Sequence, residues 1–141
     1  MRIRVPSLAV GIVSFLGAHA IEVARWQAWF EPPGGADVAP WFLNSGRALA
    51  FMALALFAAG GLATAFTRSP MGEARARGYN VAAGAFAAMV VVLFAGDPGT
   101  IFPIVLAFGA VVAIASSLAG ATVTTLLVRA LGNGPRVRAR K

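Results

Sequence analysis

The sequence predicts an all-α integral membrane protein that folds as a four-helix transmembrane bundle. Three observations predict this class: 59% of the 141 residues are hydrophobic, only 12% are charged, and the charged residues separate four long apolar runs. A soluble domain carries about 25% charged residues. Because so few polar side chains cannot cover a water-facing surface, we expect lipid to surround most of the chain.

Each apolar run has about the length of one membrane span. The predicted spans are 5–29, 46–67, 79–96 and 101–129, within a single domain that covers 1–141. A bilayer core of about 30 Å requires about 20 helical residues, so the third span is short and the fourth can tilt. Helices are predicted rather than barrel strands because the runs are apolar on every side, without the alternation that barrel strands show.

The connections between the spans predict the orientation. Segment 31–44 carries only acidic charges and segment 68–78 carries three Arg against one Glu, while both ends of the chain are basic. Cytoplasmic connections of membrane proteins are enriched in Lys and Arg. We therefore predict that both termini and 68–78 are cytoplasmic (N-in/C-in) and that 31–44 and 96–100 face outward. The predicted location is an inner (plasma) membrane of the bacterial type.

Charge and small residues predict the partners. The net charge is +7, but the basic residues form three separated clusters rather than one soluble face, so no nucleic-acid partner is predicted. The basic tail, 132–141, instead predicts contact with anionic lipids of the inner leaflet. Glycines with a small residue four positions later allow close helix packing, and they are Gly60, Gly61, Gly84 and Gly109. These pairs predict a compact bundle and not a particular dimer face. As a separate expectation, the partner is a second copy of the chain, in a homo-oligomer, or another membrane protein.

The single His and the lack of Cys limit the chemistry of the chain. Disulfides, thiolate catalysis and thiolate metal sites are excluded, as is a multi-His zinc or haem site within one copy. The sequence has no phosphate-binding Gly loop, nucleophile elbow or zinc-binding helix motif. The preferred function therefore includes no metal, no cofactor and no catalytic residue.

The predicted first span carries polar residues near its outer end. His19, Glu22 and Trp26 are three and four residues apart, so they share one helical face, and Arg25 lies at its edge. Arg47, at the outer start of the second span, is a second cationic partner for Glu22. These five residues are the candidate polar cluster on the outer side.

Two interpretations of this cluster stay open. In the structural one, Glu22 pairs with Arg25 or Arg47 at the membrane surface and His19 bonds to a neighbouring helix. In the functional one, His19 and Glu22 handle protons or bind a ligand, since an ionisable residue deep in a membrane costs roughly 2.5 to 3.5 kcal/mol. The structural interpretation is preferred because Glu22 and Arg25 are predicted to lie close to water.

The preferred function is that of a non-catalytic, small multi-pass membrane protein, either transporter-like or a subunit of a membrane complex. The alternative is a membrane enzyme in which Glu22 orients His19 as general base, acting on a lipid-borne or quinone-like substrate. A third hypothesis is a cofactor holder with His19 as an axial ligand from each of two copies. Residues 1–20 also resemble a signal peptide with an Ala18-His19-Ala20 cleavage pattern, although retention is preferred.

Polar residues in the inner half of the predicted bundle are interpreted as structural. The fourth span is rich in hydroxyl groups, namely those of Ser116, Ser117, Thr122, Thr124 and Thr125. We expect them to bond back to their own helix backbone. Asn80, at the inner start of the third span, is predicted to cap a helix or to bond between helices rather than to bind a ligand.

Overall fold

The described part of the chain is all-helical, which confirms the all-α part of the predicted class. The computed structural model describes residues 4–29, 46–66, 70–95 and 102–132. These residues form four α-helices, α1 (Val5–Trp29), α2 (Gly46–Ala65), α3 (Met71–Ala95) and α4 (Phe102–Gly132). Three helices contain stretches long and apolar enough to cross a membrane, Val5–Ala24, Met71–Ala95 and Leu106–Gly132, and α2 contains a shorter apolar stretch, Leu49–Ala65.

Helix α3 begins earlier than the sequence analysis expects. Residues 71–78 were assigned to a connection, but they form the first two turns of α3. The carbonyl oxygen of Pro70 accepts hydrogen bonds from the backbone N–H groups of Glu73 (2.9 Å) and Ala74 (3.1 Å). Glu73 lies in the first turn, where a negative charge interacts favourably with the helix dipole. The predicted connections 31–44 and 96–100 lie outside the described residues.

The four helices pack as two parallel pairs. Helix α1 packs against α3, and α2 packs against α4. The pairs are joined mainly by α3 and α4, which run antiparallel, because Gly78 lies beside Ala121 at one end and Gly109 lies beside Met89 at the other. Helices α2 and α3 also touch across the bundle, whereas α1 and α4 lie at opposite corners.

The α1–α3 pair is held by a reciprocal glycine contact. A Cβ atom added to Gly11 would overlap the carbonyl oxygen of Val81, and one added to Gly84 would overlap the carbonyl oxygen of Leu8. Gly11 therefore faces the carbonyl group three residues before Gly84, and Gly84 faces the carbonyl group three residues before Gly11. Without a side chain between them the two backbones approach closely, which allows C–H···O contacts across the crossing.

The α2–α4 pair repeats this geometry. A Cβ atom added to Gly60 would overlap the carbonyl oxygen of Ser117, and one added to Gly120 would overlap that of Phe57. The offset of three residues is the same as in the first pair. The two parallel helix pairs therefore cross with the same geometry at their glycines.

Small and flexible side chains fill the interior, and larger ones face outward. The core cluster consists of Phe15, Ala18, Met52, Leu56, Ala82, Ala85, Ala88, Met89, Leu93 and Ala113. Leu54, Val91 and Ile104 are 65%, 67% and 71% exposed. Such a distribution suits a lipid environment, where apolar side chains gain nothing by leaving the surface and small residues bring the helices together.

Helix α1 is an integral part of this packing. Phe15 and Ala18 are 3% and 4% exposed, and Gly11 lies in the crossing with α3. Removal of residues 1–20, as the signal-peptide hypothesis requires, would uncover the face of α3 that carries Asn80 and Gly84. Whether residues 1–20 are retained stays a prediction.

We predict that Gly11→Ala destabilises the protein and that Gly17→Ala, in the same helix, does not. The added methyl group at Gly11 must displace the backbone of α3, and overpacking of this kind costs typically about 1–3 kcal/mol. No atom lies within 4 Å of the same position at Gly17, so the better helix propensity of Ala stabilises by up to about 1 kcal/mol. Unfolding in one detergent measures both variants, and equal losses would contradict the assigned crossing.

Candidate functional site

Charged and amide side chains meet where α1 and α3 begin and α2 ends. This Glu73 cluster consists of Arg4, Glu73, Arg77 and Asn80. Arg4 Nη1 lies 2.6 Å and Arg77 Nη2 lies 3.1 Å from the same oxygen, Glu73 Oε1. The side chains of Arg4, Glu73 and Arg77 are 37%, 28% and 18% exposed, so the ion pairs are partly shielded from solvent. Two guanidinium groups thus share one carboxylate.

The same residues satisfy backbone groups at helix ends, which have no partner within their own helix. The N–H of Arg4, which precedes α1, donates to Asn80 Oδ1 (3.2 Å). The Asn80 side chain is itself held within α3, where Nδ2 donates to the carbonyl oxygen of Ala76 (2.7 Å). Arg77 Nη1 donates to the carbonyl oxygen of Ala63 (3.1 Å) in the last turn of α2. The cluster therefore ties α1 and α2 to α3, and the predicted interhelical role of Asn80 is confirmed.

Sequence reasoning missed the Glu73 cluster as a unit. Glu73 and Arg77 are four residues apart, a spacing that predicts an ion pair on a helix, but the sequence predicts a connection over 68–78. The contact between Arg4 and Glu73 joins residues far apart in the chain, and a single sequence carries no signal for it.

The buried hydroxyl groups behave in two ways. Thr125 Oγ1 donates to the carbonyl oxygen of Ala121 (2.7 Å) and Thr64 Oγ1 to that of Gly61 (2.9 Å), so the predicted back-bonding is confirmed for Thr125. The prediction is wrong for Ser117, whose buried Oγ has no hydrogen-bond partner in the part of the chain that the structure describes.

The structure describes the side chains of only two members of the predicted outer cluster, His19 and Glu22. His19 and Glu22 are both partly buried on α1. The imidazole of His19 stacks on the ring of Phe15, with centroids 6.3 Å apart and an interplanar angle of 8°. Arg25, Trp26 and Arg47 belong to helices, but their side chains lie outside the described residues. The assembly of these five residues therefore stays a prediction.

A cavity of about 20 Å³ lies inside the bundle near Phe15. Its walls are almost wholly apolar and include Met52, Leu56, Met89 and Ala113. A volume of this size holds about one water molecule, and an apolar cavity stays dry. Within the described segments no three His, Asp or Glu side chains are grouped so that they could hold a metal ion.

The fold and its apolar outer surface indicate a helical membrane protein. Comparisons with protein-family models, curated proteins and solved structures found no match to this chain. Its function is therefore inferred from the packing and from the polar groups described above.

We predict that Glu73→Gln lowers the free energy of unfolding by about 1–2 kcal/mol, because Arg4 and Arg77 lose the charge that they share. Glu22→Gln removes the same charge about 27 Å further along α1 than Arg4 and should cost less. Denaturant titrations of both variants in one detergent provide the measurement. A larger loss for Glu22→Gln would show that the outer cluster, not the Glu73 cluster, carries the main ionic contacts.

Proposed function

We propose that the chain is a four-span membrane protein that serves as a non-catalytic subunit of a membrane complex. The close packing of the described helices supports this proposal most directly. Both parallel helix pairs are closed by backbone contact at glycines, and the cavity near Phe15 holds about 20 Å³. The described bundle therefore offers surfaces to other proteins and little internal room for a substrate or a transported solute.

The length of α2 supports its assignment as a membrane span, in addition to the three longer helices. Its 20 residues correspond to a rise of about 30 Å, the thickness of a bilayer core. Its reciprocal glycine contact with α4 supports a position in the bundle rather than on the membrane surface.

The charge distribution supports an orientation with both termini in the cytoplasm. Arg4, Arg75, Arg77 and Arg129 all belong to the end of the bundle where α1 and α3 begin and α2 and α4 end. Basic residues are enriched on the cytoplasmic side, which in this proposal is that of a bacterial-type inner membrane. The basic tail, 132–141, continues the chain from the same end and is proposed to contact anionic lipids.

The other functions remain open to experiment. A transporter-like protein needs a polar path across the membrane, and an enzyme acting through His19 and Glu22 needs a place for a lipid-borne or quinone-like substrate. A cavity the size of one water molecule provides neither. Both functions would have to use the outer end of α1 or an interface between subunits.

Labelling of engineered cysteines tests the proposed topology. The chain contains no Cys, so a cysteine introduced by Val38→Cys or Ser69→Cys is the only reactive thiol. A membrane-impermeant maleimide should label the Val38→Cys protein in intact cells and the Ser69→Cys protein only after permeabilisation. Labelling of the Ser69→Cys protein in intact cells would contradict the orientation.

Purification in a mild detergent tests the subunit function. A complex subunit should copurify with a stoichiometric membrane protein or with further copies of itself, and size-exclusion chromatography with light scattering measures this. A monodisperse monomer that carries a solute or protons across liposomes would contradict the subunit function and support transport.

A further inference from the structure

The outward face of α3 carries two polar side chains that make no hydrogen bond or ion pair with the described residues. Arg75 and Tyr79 are exposed, and they are four residues apart, so they lie one above the other on the same face. Tyr79 is 43% exposed. A tyrosine at a membrane boundary places its ring in the apolar region and its hydroxyl at the level of the headgroups.

The same face continues with small side chains. Ala83 and Ala87 follow Tyr79 at four-residue intervals and are exposed, and Val91 ends the series. Helices α1, α2 and α4 all contact α3, and this exposed face is the one that those contacts leave uncovered. The result is a lipid-facing strip with a cation at one end, a phenol next to it and a shallow apolar floor beyond.

We propose that this strip binds one anionic phospholipid, with its phosphate on Arg75, its glycerol or ester oxygens at the Tyr79 hydroxyl and an acyl chain along Ala83 and Ala87. This inference rests on the membrane location in the proposed function. From Tyr79 to Ala87 the helix rises about 12 Å, which fits within the roughly 15 Å of one leaflet's hydrocarbon layer. The strip therefore has the length of a single lipid chain.

The positive charge of Arg75 favours a lipid with an anionic headgroup. Arg75 has no described carboxylate partner, whereas the one carboxylate of the Glu73 cluster is already shared by Arg4 and Arg77. A guanidinium group presents several N–H donors in a plane and matches a phosphate well. A zwitterionic headgroup would bring its own cation next to Arg75 and bind less strongly.

Native mass spectrometry of the full chain, released from nanodiscs that contain phosphatidylcholine with or without phosphatidylglycerol, tests the proposal. The wild-type protein should retain one phosphatidylglycerol, and Arg75→Gln should reduce the retained fraction about fivefold, the effect of losing one basic contact at a membrane surface. Arg129→Gln, which removes an exposed Arg at the same end of the bundle, is the matched control and should retain the lipid.

Ala87→Trp provides a second variant that leaves the charge unchanged, because the indole would cover the apolar floor and displace the acyl chain. Loss of the lipid in both Arg75→Gln and Ala87→Trp supports the site. Equal loss in Arg75→Gln and Arg129→Gln would overturn it in favour of general surface charge. Full occupancy of Arg75 by inorganic phosphate in lipid-free micelles would assign the site to free phosphate. Because nanodiscs expose both leaflets, these results do not depend on the orientation or on the subunit function.

Discussion

The reciprocal glycine contact between parallel helices is the constraint on which the rest of this structure depends. In lipid, apolar side chains gain no hydrophobic free energy by packing against another helix. Association must come from close contact, through dispersion and weak C–H···O interactions. Gly11 with Gly84 and Gly60 with Gly120 provide that contact by the same geometry. Large apolar side chains are consequently left on the outside.

The register set by the first crossing explains the Glu73 cluster. Helix α3 begins thirteen residues before Gly84 (84 minus 71), whereas α1 begins six residues before Gly11 (11 minus 5). Helix α3 therefore extends about 10 Å beyond the start of α1. Its first two turns carry Glu73, which lies within reach of Arg4. Polar groups that would otherwise be unsatisfied at the helix ends find their partners there.

The sequence predicted the helical class and the bounds of α1 because composition and charge-free runs are local properties. The start of α3 was missed because Arg75 and Arg77 were interpreted as marks of a connection, although Ala and Arg are strong helix formers. Gly84 was recognised as a packing residue, but its partner Gly11 was not, since the pairing depends on tertiary structure. Nothing in the sequence distinguishes Gly17 from Gly11, but no described neighbouring helix lies within 4 Å of a Cβ atom added at Gly17.

In the candidate sites, too, the sequence predicted the features that depend on nearby residues and missed the contacts between residues far apart in the chain. The interhelical bond of Asn80 could be expected from a polar residue at the end of an apolar run. The pairing of Arg4 with Glu73 required the fold, and the outer cluster around His19 stays a prediction. The close packing of the helix pairs depends on the glycine contacts, whose partners could not be derived from composition alone.

A double-mutant cycle tests the central claim most directly. Gly11→Ala and Gly84→Ala act on one crossing, so the structure predicts that the second substitution costs less once the first has separated the helices, with a coupling of about 0.5–3 kcal/mol. Gly11→Ala and Gly60→Ala act on different crossings and should add. Additive losses for Gly11 and Gly84 in the free energy of unfolding would contradict the reciprocal contact.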